Sequence, residues 1–383
     1  MLEHYISVGQ QRLRCGYTTG TCAAGAARAA AEALLQGSFP AQLLVETPAG
    51  IPVSLEPEAQ SCGTGWAACG VRKDAGDDCD VTDGALIVAT VFRTEAGVEI
   101  DGGQGVGRVT RPGLNQPVGA AAINRVPRQM IEAQLRQALA QAGASCGLRA
   151  VISVPEGEKL AVRTFNPRLG IRGGISILGS TGIVRPMSRQ ALVDTTRAEM
   201  EVHRAEGVRD LLMAPGNYGA DFAEHTLGLD MSRAVQCSNY IGEALDSAVN
   251  LGFSSVLLVG HIGKLCKLAA GIMDTHSRTA DGRREVFVTH GALCGADGAL
   301  LRQLYDAATT DAALDLLCQA GLGQAVLDSI LGAVGENLAH RGGGLNIQAI
   351  AFSQSAGLTA MTDGAEALLE LHQTKLEQDD RLS

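Results

Sequence analysis

Ser255-Val256-Leu257-Leu258-Val259-Gly260-His261-Ile262-Gly263-Lys264 is the segment that settles the fold class. An apolar, β-branched run of strand length stops at a glycine and leads into a helix expected from about Lys264 to Met273. Working outward toward the N-terminus, Asp210–Ala214 and Ala234–Gln236 have the same form. Each is followed by a helical pattern, the first after Tyr218 and the second from about Tyr240 to Asn250. Strand, loop and helix repeating in this order build a parallel sheet with helices on both sides. Toward the C-terminus, the chain beyond Gly295 reads mainly as helices, with one strand at Asn346–Phe352 closing the sheet and a polar, frayed tail from Gln373 to Ser383. Sheets of this kind bind ligands where the carboxyl ends of their strands pass into loops. Gly260, Gly263 and Lys264 occupy one such loop, and Gly216 and Asn217 another. The Gly260–Lys264 segment lacks the spacing and the Ser or Thr of a phosphate loop, which argues against a nucleoside-triphosphate hydrolase.

The N-terminal half has a different character. A chain of 383 residues is longer than a single core usually supports, and the mixed charged run 194–207 reads as a linker. Two domains are expected: residues 1–200, α+β with a mixed sheet, and residues 201–383, Rossmann-like α/β. In the first, Leu43–Thr47, Ala85–Phe92 and Arg149–Val154 read as strands. Pro127–Ala142 reads as a helix, with Ile131, Leu135, Ala138, Leu139 and Ala142 forming its apolar stripe. Near the start, Cys15-Gly-Tyr-Thr-Thr-Gly-Thr-Cys22 runs into an alanine-rich helix. Hydroxyls at a helix mouth make an anion seat of Thr18, Thr19 and Thr21, or they serve simply as the helix cap. Gly103, Gly105 and Gly107 follow an extended segment, but the next residues do not open a helix, so the dinucleotide fingerprint is incomplete. A substrate-facing loop carrying Arg108 and Arg111 suits them better, with Asp101 at its start as a base or a turn cap.

The net charge of −10 argues against nucleic acid as a partner, yet it is unevenly spread. Residues 1–200 carry 19 Lys and Arg against 18 Asp and Glu, whereas residues 201–383 carry 12 against 23. Between Gly103 and Arg189 there are 12 basic residues, 11 of them Arg, and only Glu132, Glu156 and Glu158 oppose them. Arginine is the side chain suited to two-point contact with carboxylates. Ten scattered cysteines with no Cys-x-x-Cys pair read as reduced thiols. His261, Asp274 and His276 are too widely spaced to suggest a metal site, so none is expected. No apolar stretch approaches the roughly 20 residues that span a bilayer, and the first residues lack the features of a secretion signal. A cytoplasmic protein without a membrane partner is expected, and homo-oligomer formation stays open.

Five ordered segments carry a family resemblance: Gly16–Ala23, Asp101–Gly113, Ala122–Arg128, Gly174–Ser188, and Val259–Leu265 with Asp274–His276. Together they span the chain from Gly16 to about Gly357. In these segments it resembles the CbiD family, the cobalt-precorrin-5B C(1)-methyltransferases of anaerobic cobalamin biosynthesis, departing from the family pattern at Arg125, where a proline is expected. The resemblance implies methyl transfer from S-adenosyl-L-methionine to carbon 1 of cobalt-precorrin-5B, giving cobalt-precorrin-6A. That tetrapyrrole bears many acidic side chains, which the arginine-rich stretch would suit. The expected tetrapyrrole site comprises Thr18, Thr19, Thr21, Arg108, Arg111, Arg128 and Arg185 on the first domain. Gly216, Asn217, Gly260, Gly263 and Lys264 would meet the cofactor on the second, in a cleft between the domains, with Asp101 or His261 as the base. A non-catalytic tetrapyrrole carrier of the same pathway is the alternative; a nicotinamide-dependent oxidoreductase suits the glycine loop less well.

Overall fold

Ile87, Ala89 and Val91 lie on one side of the strand Leu86–Thr94 and are fully buried, while Val88 and Thr90 between them are half-buried. This period of two marks a strand with one face on a core. In the computed structural model, which describes residues 2–216, 220–353 and 355–379, the strand sits at the centre of a five-stranded sheet. The order is Glu58–Gly63, Trp66–Arg72, Leu86–Thr94, Gly147–Ser153, Val98–Gly102. All neighbours are antiparallel except the last pair, which is parallel, so the sheet is mixed.

The helix Thr19–Gln36 packs on this sheet and against the helix Arg125–Ala142. Ala23, Ala24, Ala26, Ala27, Ala29, Ala30 and Ala31 are all fully buried. Alanine both favours the helix and lets its backbone come close to the strands. At Gly25 a side chain would begin 2.4 Å from Leu55, so only glycine lets the hairpin Leu43–Glu46 and Pro52–Leu55 reach the helix. Gly37, in a left-handed conformation, ends the helix.

The chain forms two compact units, Met1–Arg189 and Gln190–Ser383. The boundary expected at residue 200 and the linker expected at 194–207 both fall largely within a helix, Arg189–Ala205. Within that run Arg197 and Glu201 pair as opposite charges four apart, as neutral Gln190 hydrogen-bonds Asp194 at the same spacing, and both pairs support helical structure on the exposed side. Glu199, Met200 and Val202 are buried on the other side.

In the second unit, the strands run in the order Val235–Gln236, Asp210–Ala214, Ser255–His261, Asn346–Ser353, all parallel, with Leu358–Met361 antiparallel at the edge. Alternate residues feed two separate cores. Leu211, Met213, Val256, Leu258, Ala349 and Ala351 belong to one, packed with the helices Ile241–Asn250, Arg283–Leu293 and Gly323–Gly342. Leu212, Ala214, Leu257, Val259, Ile350 and Phe352 belong to the other, with the helices Ala220–Leu227 and Ala365–Asp379. A parallel sheet covered on both faces explains why its strands read as unbroken apolar runs. Two local expectations change. The helix expected from Lys264 to Met273 is one turn, Ile262–Leu265, continued as a 3-10 segment to Ala270 and ended by Gly271 at φ +73°. The tail expected to fray from Gln373 instead continues a helix to Asp379.

A buried ion pair braces the first unit. Lys73, whose side chain is 2% exposed, meets Asp80 at 2.7 Å, and Asp80 also accepts from the Thr82 amide and hydroxyl. Burial raises the Asp80 pKa, but Lys73 and these donors more than offset it and hold the carboxyl below its ordinary value. A carboxylate depressed in this way stabilises the fold above the unfolded aspartate range, and that stability is lost as pH falls through the folded value. Asp80→Asn leaves Lys73 buried without its counter-charge and should cost about 3–5 kcal/mol in denaturant unfolding. The same variant should show a shallower loss of stability between pH 5 and acid than the unsubstituted chain.

Candidate functional site

Gly105, Gly157 and Gly174 meet backbone to backbone inside the first unit. A side chain on Gly157 or Gly174 would begin 2.0 or 2.1 Å from the Gly105 carbonyl oxygen, and one on Gly105 would begin 1.9 Å from that of Val154. The glycine-rich loop is therefore a packing node, and its glycines let chain segments approach one another. Just beyond the node, the short strands Arg108–Val109 and Ile171–Arg172 pair antiparallel with Arg108 directly opposite Arg172. Directly opposed residues project from the same face of a pair, and like charges so placed repel.

The Arg108 guanidinium forks onto Asp101 at 2.9 and 3.2 Å and donates to the Gly102 carbonyl at 2.7 Å. Arg128 donates to the carbonyls of Ile123 and Ile100, and both Asp101 and Arg108 bear on its charge. Arg172 is exposed and has no hydrogen-bonding partner among the described residues. Two guanidiniums, those of Arg108 and Arg128, thus share the charge of Asp101, with Arg172 opposite Arg108 on the paired strand. Arg111 lies alongside, its stem packed over Gly170 and its head donating to the Arg168 carbonyl at 2.9 Å. Arg185 stands elsewhere: it follows the strand Ile183–Val184, is exposed, and its charge bears on Cys15. Arg172 was absent from the set expected from sequence, because its importance comes from a cross-strand register that spacing along the chain does not reveal.

The anion seat expected at Thr18, Thr19 and Thr21 is filled by the protein itself. Thr18 caps the helix, its hydroxyl accepting from the Thr21 amide at 3.3 Å. The Thr21 hydroxyl donates to the Gly182 carbonyl at 2.7 Å, and that of Thr19 accepts from the Leu178 amide at 2.9 Å. The amides of Thr18 and Gly20 are bonded to Gly182 and Leu178, and all three threonines are buried. The capping alternative holds, because the 178–182 loop covers the helix mouth.

Both residues expected as the base are also committed. Arg108, more than any other neighbour, holds the Asp101 carboxyl below its ordinary range, which weakens it as a proton acceptor. His261 caps its own turn, with Nδ1 accepting from the Gly263 amide at 3.1 Å and Nε2 lying 3.4 Å from Asp311. Asp311 in turn accepts from Ser353 at 2.7 Å.

A polar cavity of about 290 Å³ in the second unit is lined by Asn239, Gly263, Lys264, Lys267, Thr275, His276, Ser277 and Arg283. The Lys264 ammonium donates to the Pro215 carbonyl and, at 3.5 Å, to that of Ser238. Burial lowers its pKa, as does Lys267, and the other group bearing on it is the buried Cys237 thiol. Gly216, at φ +138°, passes so close that a side chain there would begin 3.5 Å from the Lys264 nitrogen. Gly260 has a packing role instead, since a side chain would begin 2.9 Å from Pro215. Asn217 lies outside the described residues. The histidine, the second lysine and the arginine of the cavity were not expected from sequence as site residues; Lys267 follows Lys264 in the 3-10 segment, whereas His276 and Arg283 come from a loop and a helix start that only folding brings to Lys264. Among the described residues no three His, Cys, Asp or Glu side chains gather as a metal site would require, and no helix is long and apolar enough to cross a membrane.

Residues 6–186 match the family described as CbiD, and residues 274–363 match the family described as CbiD, C-terminal domain. A Ruminiclostridium cellulolyticum protein named cobalt-precorrin-5B C(1)-methyltransferase is 48% identical over 89% of this chain and 88% of its own. Proteins of the same name from Alkaliphilus metalliredigens and Salmonella typhimurium are 41% identical over 97% of this chain and 98% of theirs, and 44% identical over 81% and 82%. A crystal structure of the cobalamin biosynthesis protein CbiD from Archaeoglobus fulgidus is 33% identical, covering 72% of this chain and 86% of that one with a TM-score of 0.40. With identities of this order sustained over most of its length, the chain belongs to the CbiD family.

Proposed function

We propose that the chain methylates carbon 1 of cobalt-precorrin-5B, giving cobalt-precorrin-6A, with S-adenosyl-L-methionine as the methyl donor. Family membership supplies the reaction, and its relatives carry that activity in their names. The observation that carries the substrate side is the cross-strand pair of Arg108 and Arg172, with Arg128 beside them and Asp101 as the opposing acid. Carboxylates on a tetrapyrrole relieve the repulsion between opposed guanidiniums, and arginine meets them with two parallel hydrogen bonds. Asp101 then acts as a positioning residue that holds Arg108 in place, and Arg111 and Arg185 extend the basic surface. On this reading the substrate-binding part is the N-terminal domain, expected as residues 1–200.

We assign the donor to the Rossmann-like second domain, expected as residues 201–383, where ligands bind at the carboxyl ends of parallel strands. When bound, S-adenosyl-L-methionine supplies a methyl group activated by a positively charged sulfur. Its carboxylate suits Lys264, and Gly216 and Gly263 keep the neighbouring backbone open. Gln236 ends its strand with a buried Oε1 that has no partner among the described residues, an acceptor for an amine or a ribose hydroxyl. Among the described residues the cavity lining has no acidic side chain to face a sulfonium. The protein's task is to align methyl and ring carbon and exclude water, and alignment alone can lower a barrier by roughly 7–11 kcal/mol. This chemistry belongs in the cytoplasm, where the ten free thiols remain reduced.

Incubation of the full chain with cobalt-precorrin-5B and methyl-labelled S-adenosyl-L-methionine should transfer one label to the corrinoid. Binding without transfer would instead support the carrier alternative. Arg108→Ala with Arg172→Ala should weaken tetrapyrrole binding at least tenfold while changing S-adenosylhomocysteine affinity less than twofold, both read by calorimetry. Added salt should narrow the difference, as screening weakens exposed charge contacts. Unchanged tetrapyrrole affinity would remove these arginines from the site.

A further inference from the structure

The lysines of the second unit's cavity are held in an unusual way. Lys267 is 2% exposed, and its ammonium donates to the carbonyls of Thr275 at 3.0 Å and Ala280 at 2.9 Å. These bonds tie down the loop that supplies Thr275, His276 and Ser277 to the cavity wall. Lys264 binds the carbonyls of Pro215 and Ser238 in the same manner. Ser238 adopts φ +54°, a left-handed conformation that strains a non-glycine residue and is typical of functional sites. Each ammonium has three donors and gives two to neutral oxygens, leaving one.

The acids nearby are engaged elsewhere. Both oxygens of Asp281 are taken by Arg283, with Lys267 more distant at 3.9 Å. Asp274 accepts from the His276 amide and the Thr279 hydroxyl. No carboxylate is among the groups that bear on Lys264. A half-buried ammonium with only neutral acceptors costs free energy that an incoming anion recovers.

We propose that this cavity is a carboxylate seat, in which Lys264 meets the acid group while Arg283 and Lys267 frame it. A point cation suits one carboxylate oxygen, and Arg283, whose Nε and Nη2 are held by Asp281, frames the seat with its remaining donors. Only the source of the carboxylate rests on the methyl-transfer reading: it belongs either to the amino-acid end of the donor or to an acidic side chain of the tetrapyrrole.

Calorimetric titration of the full chain separates these sources. The probes are S-adenosylhomocysteine, 5′-methylthioadenosine, which lacks the amino-acid end, and cobyrinic acid with its methyl ester. Lys264→Met and Arg283→Gln are compared with the unsubstituted chain and with Arg136→Gln, a surface control whose arginine pairs with Glu132 on the helix Arg125–Ala142. A tenfold or greater loss of S-adenosylhomocysteine affinity in both variants, with 5′-methylthioadenosine unchanged, assigns the seat to the donor. The same loss for cobyrinic acid, with its ester unchanged, assigns it to the tetrapyrrole. The proposal is overturned if Arg283→Gln, shown to be folded by circular dichroism, binds every probe within twofold of the unsubstituted chain, or if the unsubstituted chain binds neither acid. Failure of the unsubstituted chain to bind S-adenosylhomocysteine, with cobyrinic acid still lost in the variants, overturns the donor assignment and leaves the seat standing.

Discussion

Backbone meeting backbone at Gly105, Gly157 and Gly174 is the contact on which the first unit's basic surface depends. The node joins three segments that are distant in sequence, and it fixes where the flanking strands begin. Arg108 lies three residues after Gly105 and Arg172 two residues before Gly174, so the close approach of glycines determines that the two arginines stand opposite each other in register. Any side chain at the node would push these strands apart. The electrostatic feature of the surface is thus a consequence of a steric one.

Lysine and arginine do two kinds of work in this protein. Some pair with acids and hold the fold, as Lys73 does with Asp80 and Arg14 with Asp74. Others donate mainly to carbonyl oxygens, as Lys264, Lys267 and Arg128 do. A carbonyl dipole orients a cation without cancelling its charge, so the second group stays attractive to an anion while being held in place. Lys264 and Lys267 line the cavity, and Arg128 stands in the basic cluster.

Much of the architecture was legible in the sequence. The apolar runs at Asp210–Ala214, Ser255–Gly260 and Asn346–Phe352 are strands of one parallel sheet, because burial on both faces leaves little room for polar residues. What sequence could not supply was the use made of each polar group. Three threonines at a helix mouth look the same whether they face a ligand or a covering loop, and the loop at 178–182 is about 160 residues away in the chain. Asp101 likewise looks like a base until Arg108 is seen across from it. The helix after Lys264 was overestimated because apolar residues at helical spacing do not distinguish a full helix from one turn and a 3-10 segment ended by glycine.

The end of the first unit is secured to its beginning. Ile183–Val184 pairs with Gly16–Tyr17, and the Met187 amide donates to Asp78 at 3.0 Å. The final stretch before Arg189 therefore completes structure that starts near residue 16. A shortened fragment of this unit that stopped ahead of Leu178 would strip the cover from the threonine-lined helix mouth, exposing amides that otherwise never meet water.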